Sequence, residues 1–149
     1  MNKTLLTNEN FNEINWHDNA IHGFEIIESE DGCSGGLNLD IDYIVEWIEP
    51  VDNKFSFRLV PSNLLFHEVT NLIISINYAA ASAAVQPITI HEIHRDVFSS
   101  PNGYSSYIWK IEINWPSNSF ISFRSSGFSQ TSRKEPITSG CQYLSVSER

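Results

Sequence analysis

Basic residues are scarce in this chain, and its first third has almost none. Nine Lys and Arg stand against eighteen Asp and Glu, a formal net charge of −9. Residues 1–53 hold twelve acids against Lys3 alone, a balance of −11, whereas residues 54–149 hold six acids and eight bases, +2. Such a field repels a phosphate backbone, so nucleic acid is not an expected partner. It suits the steering of a basic protein. Cysteine is nearly absent too. Cys33 and Cys141 lie 108 positions apart and match no metal or redox spacing, so both are read as free thiols of a cytoplasmic protein. No apolar run approaches the ~20 residues of a membrane span, so no membrane association is expected. The start, Met1 to Thr7, is too short in its apolar part for a signal peptide, and Asn8 and Glu9 follow at once. There is no Gly-x-Ser-x-Gly elbow and no glycine-rich phosphate loop leading into a helix. Neither a complete metal-ligand set nor a cofactor motif is legible.

What the sequence has in quantity is alternation. Leu37-Asn38-Leu39-Asp40-Ile41-Asp42-Tyr43-Ile44-Val45-Glu46-Trp47 places apolar residues at every odd position, with Ile44 the one exception among the even ones. A period of two predicts a half-buried strand with Leu39, Ile41, Tyr43, Val45 and Trp47 inward. Asn38, Asp40, Asp42 and Glu46 then form an exposed acidic stripe.

The rest of the chain supplies partners for that strand. Ala20–Glu28 reads as a strand, and 30–36 as a reversal rich in residues that tolerate positive φ. Glu49-Pro50-Val51-Asp52-Asn53 is a turn cluster, after which Phe55–Leu59 alternates again. Matching apolar faces sets Trp47 near Phe55 and Ile44 near Arg58. Pro61-Ser62-Asn63 breaks that run, leaving 64–69 ambiguous between strand and helical turn. Further strands are expected at 72–78, at 88–95, where lost alternation suggests a bulge, at 107–115 and at 120–124. Pro101-Asn102-Gly103 marks a hairpin. Gly127 to Arg149 is a tail with a last short strand near Gln142-Tyr143-Leu144, and residues 8–14 suit one helical turn with Phe11 and Ile14 inward. The expected fold is a single all-β domain over 1–149, an antiparallel β-sandwich or flattened barrel of about eight or nine strands with at most one or two short helical turns.

Trp16-His17-Asp18 with Ile21 and Gly23, then Leu39 to Ile44 with Glu46-Trp47, Phe57 to Pro61, and Gly127-Phe128-Ser129-Gln130 ahead of Pro136 carry a resemblance. Together they look like a set of small uncharacterised bacterial all-β proteins of about this length. The resemblance implies a fold and a bacterial, cytoplasmic setting; it implies no activity.

Candidate site residues are His17, Asp18, His22, Asp40, Asp42 and Glu46. A histidine beside a carboxylate, as at His17-Asp18, suits a base with an orienting partner or part of a metal site, but more simply a loop whose backbone the pair holds by hydrogen bonds at the entry to the first strand. Asp40 and Asp42, two apart on one strand face, stand ~6.5–7 Å apart, compatible with a glycosidase pair but more simply a solvated stripe. His91-Glu92-Ile93-His94 is not the zinc-protease motif, and on a regular strand its histidines point to opposite faces unless a bulge re-aims one. The aromatics Trp16, Tyr43, Trp47, Phe55, Phe57, Tyr107, Trp109, Phe120 and Phe123 are expected mostly in the core. Three functions remain. The first is a non-enzymatic protein-binding domain whose acidic face meets a basic partner, in its sharpest form an immunity or antitoxin-like protein covering a nuclease toxin. The second is a small hydrolase or metal-dependent enzyme using His17, Asp18, Asp40 and Asp42. The third is a carbohydrate or small-ligand binding β-domain.

Overall fold

A computed structural model of the chain describes residues 4–32, 35–103 and 105–149. The expected Cys33 environment lies outside the described residues. Among the described residues, ten strands form one antiparallel sheet: β1 (Leu5–Thr7), β2 (Ala20–Glu28), β3 (Gly35–Val51), β4 (Lys54–His67), β5 (Thr70–Ser75), β6 (Ile88–Ser99), β7 (Ser105–Trp115), β8 (Phe120–Ser125), β9 (Gly127–Ser132) and β10 (Ile137–Ser139). Two 3-10 turns, Asn8–Glu13 and Val146–Glu148, are the helical content of the described residues. The strand order is β1-β9-β4-β3-β2-β6-β7-β8-β5, with β10 beside β4. The all-β antiparallel expectation holds, and the sheet does not close into a barrel.

Its two halves meet along a narrow seam. β2 pairs with β6 at Ala20↔Thr89 and Ile21↔Ile88 alone, and then diverges. The sheet folds over along this line, because rings from non-neighbouring strands touch. Phe66 of β4 lies with ring centroids 5.0 Å from Trp109 of β7 and 4.7 Å from Phe123 of β8. Leu37, Leu39, Ile41, Leu64, Ile90, Ile111 and Ile121 complete the fully buried interior. The 3-10 turn at 8–13 closes one end, as its Phe11 and the following Ile14 pack on this cluster. Arg95 lays its guanidinium 4.1 Å from the Phe11 ring centre, a cation–π contact.

β4 runs unbroken through Pro61, against the expectation of a break. Its outer neighbour changes there: β10 pairs with Phe57 to Leu59, and β9 with Ser62 to His67. Pro61 sits in the gap between the two ladders, where its missing N–H costs no bond. The acidic strand departs further from expectation. Leu37, Leu39 and Ile41 are buried, but Val45 and Trp47 are 46% and 47% exposed, whereas Asp42 is 0% and Ile44 6% exposed. Two physical causes act. A bulge between Ile44, which opposes Leu59, and Glu46 shifts the register by one residue, so that Trp47 opposes Phe57. The face carrying Asp42 and Ile44 is also covered, by residues 137–149. Leu144, 1% exposed, packs with Ile44, Phe57, Leu59 and Ile137 in a second small core on the outer side of the sheet. The short strand expected near Gln142 falls instead at β10, and β1 and β9 are strands with no expected counterpart.

Candidate functional site

The six sequence-selected residues separate into three places. His22, Asp40 and Asp42 come together beneath the segment 140–149. Asp42 Oδ2 accepts from His22 Nε2 and from the Leu144 backbone N–H, both at 2.7 Å. Its Oδ1 accepts from Arg149 Nη1, while Arg149 Nη2 donates to Asp40. Arg133 Nη2 also reaches Asp40 Oδ1 at 2.7 Å and its Nη1 reaches Asn63 Oδ1 at 2.8 Å. A carboxylate only accepts, so His22 carries its proton on Nε2. Asp42 is therefore not a free member of an exposed stripe; this corrects the expectation that it faces solvent. Burial is tolerated because both oxygens are filled by donors, two of them able to carry charge. Burial raises the carboxyl pKa of Asp40 more than any other single influence, but the hydrogen bonds and charges of Arg133 and Arg149 together outweigh it and hold the group below its ordinary value. With these contacts directed at the protein itself, this cluster is built as a clasp between the sheet and the 140–149 segment.

His17 and Asp18 stand in the loop before β2 with a separate set of partners. His17 Nδ1 lies 2.9 Å from the His91 carbonyl, so Nδ1 holds the proton, and its Nε2 is 3.4 Å from Asp18 Oδ2. Asp18 itself has φ 62 and accepts from Asn114 Nδ2 at 3.2 Å and Gln142 Nε2 at 3.5 Å. A left-handed Asp held on both oxygens shapes the loop entry to β2. Glu46 is elsewhere again, exposed and 3.4 Å from Arg58 Nη1.

Glu46 belongs to the most conspicuous surface of the molecule. Past Ile44 and Phe57, β3 and β4 outrun their neighbours, and among the described residues no third strand pairs with 45–56. They project as a two-stranded ribbon closed by Asp52 (φ 57) and Asn53 (φ 63), between the paired Val51 and Lys54. Two successive positive φ values make the tight turn whose twist suits a hairpin. The ribbon displays Val45, Trp47, Val51 and Phe55, each 46% to 75% exposed. Glu46, Glu49 and Asp52 stand among them. Trp47 rests edge-on against Phe57 at 5.0 Å between ring centres, which fixes the indole while leaving half of it in water. Of the aromatics expected in the core, Trp16, Phe57, Trp109 and Phe123 are buried; Trp47 and Phe55 are not.

Sequence reasoning missed the partners rather than the acids. Arg133 and Arg149 lie 91 or more positions from Asp40 and Asp42, and the only signal for them was the excess of base in residues 54–149. No family model and no curated protein matches the chain. No helix among the described residues is long and apolar enough to cross a membrane.

Proposed function

We propose that this chain is a non-enzymatic protein-binding domain whose β3–β4 ribbon engages a basic partner. The observation that carries the reading is the projecting ribbon, with Trp47 and Phe55 each about half exposed amid Glu46, Glu49 and Asp52. Contiguous exposed apolar groups with a polar rim characterise interaction surfaces, and aromatic anchors supply most of the energy in such contacts. The twelve acids of residues 1–53 add long-range attraction for a cationic surface and so raise the association rate. A basic nuclease held in check by an immunity-type protein fits this chemistry.

The test is affinity capture from the native host, then binding kinetics with the purified partner. Trp47→Ser combined with Phe55→Ser is expected to abolish capture of a basic protein and leave the melting temperature unchanged, because neither side chain lies in the core. Neutralising Glu46, Glu49 and Asp52 together is expected to slow association and flatten its salt dependence. Retention of the partner by the Trp47/Phe55 variant, or a partner with no basic surface, would overturn the reading.

A further inference from the structure

On the other half of the sheet, away from the ribbon, β6 carries an irregularity with a chemical consequence. Its pairing with β7 shifts between Ile90 and Glu92, from Ile90↔Ile113 to Glu92↔Glu112, so His91 is an extra residue. Ile90 and Ile93 remain buried in the core, while His91 and Glu92, adjacent in sequence, are both exposed. The bulge thus breaks the alternation that would send neighbouring side chains to opposite faces. One ligand atom each of His91, Glu92 and Glu112 falls within 4.8 Å of the others. His94 joins them: its Nε2 is 3.2 Å from Glu112 Oε1 and 3.6 Å from Glu92 Oε2.

Two features of this cluster call for a cation. Glu92 and Glu112 are directly opposite in register, and like charges so placed destabilise a sheet. His94 Nε2, itself shielded from solvent, stands within ion-pair distance of both glutamates yet has no hydrogen-bond partner among the described residues. Lys110, opposite His94 in register, lies with its ammonium 5.9 Å from the Phe120 ring centre. We infer that His91, Glu92 and Glu112, with His94 as fourth donor, bind a divalent first-row transition ion of the zinc type. Imidazole and carboxylate are the N and O donors that such ions take at ~2.0–2.2 Å, which sets tetrahedral ligand atoms about 3.4 Å apart. The two distances from His94 to the glutamates bracket that value. The bulge is what distinguishes this set from a regular strand, where His91 and His94 diverge. His17 adds support beside it, since its Nδ1–H on the His91 carbonyl ties the bulged backbone to the 16–18 loop and its ring stands 5.4 Å from the His91 ring.

Isothermal titration of the reduced, full-length chain with Zn²⁺ tests the site, with Co²⁺ absorption identifying the donors. One saturable site per chain is expected, with Co²⁺ d–d bands and no thiolate charge transfer, which sets Cys33 and Cys141 aside. Melting temperature should rise with Zn²⁺ as native-state binding requires. His91→Ala and Glu112→Gln, both changes of solvent-accessible side chains, should each weaken binding roughly tenfold or more, while Asp96→Asn, elsewhere on β6, should not. Absence of saturable binding, or equal affinity in the His91→Ala and Glu112→Gln proteins, would overturn the assignment.

Discussion

Asp42→Asn tests the buried clasp most sharply. In the native protein one carboxylate oxygen accepts from His22 and Leu144 and the other from Arg149. An amide has a single accepting oxygen. If that oxygen keeps His22 and Leu144, the new –NH₂ meets a guanidinium that also only donates. A charge-assisted hydrogen bond worth about 1.5–3 kcal/mol is lost. Arg149, 10% exposed, keeps Asp40 as a counter-ion, so the cost stays below the about 3–5 kcal/mol of stripping a buried pair outright. The expected loss is therefore about 2–3 kcal/mol, or roughly 4–12 °C in melting temperature for a chain of this size. Urea unfolding at neutral pH, followed by tryptophan fluorescence, reads it directly. A loss below about 0.5 kcal/mol, the level of an ordinary surface change, would mean that water reaches this carboxylate and that residues 140–149 do not lie over it. Pairing the change with Arg149→Ala should give a coupling energy of at least about 0.5 kcal/mol.

Two further outcomes follow from the same geometry. Asp40, whose carboxyl is held below its ordinary value, contributes stability that is present above the unfolded value near pH 4 and lost as pH falls through the lower folded value; Asp40→Asn should flatten that acid limb in urea melts taken across it, and an unchanged limb would remove the claim. Gly127→Ala should cost about 1–3 kcal/mol by overpacking, because a Cβ there would stand 1.9 Å from Asn8 Nδ2, an amide pinned by Ser126 O and by the Phe128 N–H; wild-type stability in thermal melts would show that Asn8 moves freely aside.

Much of the strand layout was legible because alternation reports burial on one face. Ala20–Glu28, the bulge in β6 and the apolar run Leu37–Ile41 follow from it, and the 3-10 turn at 8–13 follows from Phe11 and Ile14. Alternation fails where the second face is covered as well. Asp42 and Ile44 are buried by Leu144, a residue 100 or more positions away, and no local pattern signals a segment that crosses the sheet from outside. The bulge in β3, unlike that in β6, changes phase inside a run that still alternates: before it Ile41 opposes Ser62, after it Trp47 opposes Phe57, so no single register describes the hairpin. Short edge elements such as β1 and β10, three residues each, carry too little sequence to show a period of two.

The charge asymmetry of the sequence also changes meaning once its partners are known. Arg58, Arg133 and Arg149, three of the eight bases in residues 54–149, lie against Glu46, Asp40 and Asp42 in the acidic third. Part of the imbalance is thus internal complementarity that fastens the outer segment to the sheet. Salt should weaken this little at Asp42, which is buried, and more at Glu46, whose pair is exposed and worth well under ~1 kcal/mol. Glu49 and Asp52 extend the same acidity along the ribbon toward its tip, beside Trp47 and Phe55. A partner steered there by charge would still depend on those two rings for its residence time, since electrostatic attraction chiefly sets the rate of encounter and desolvated aromatic contact the rate of release.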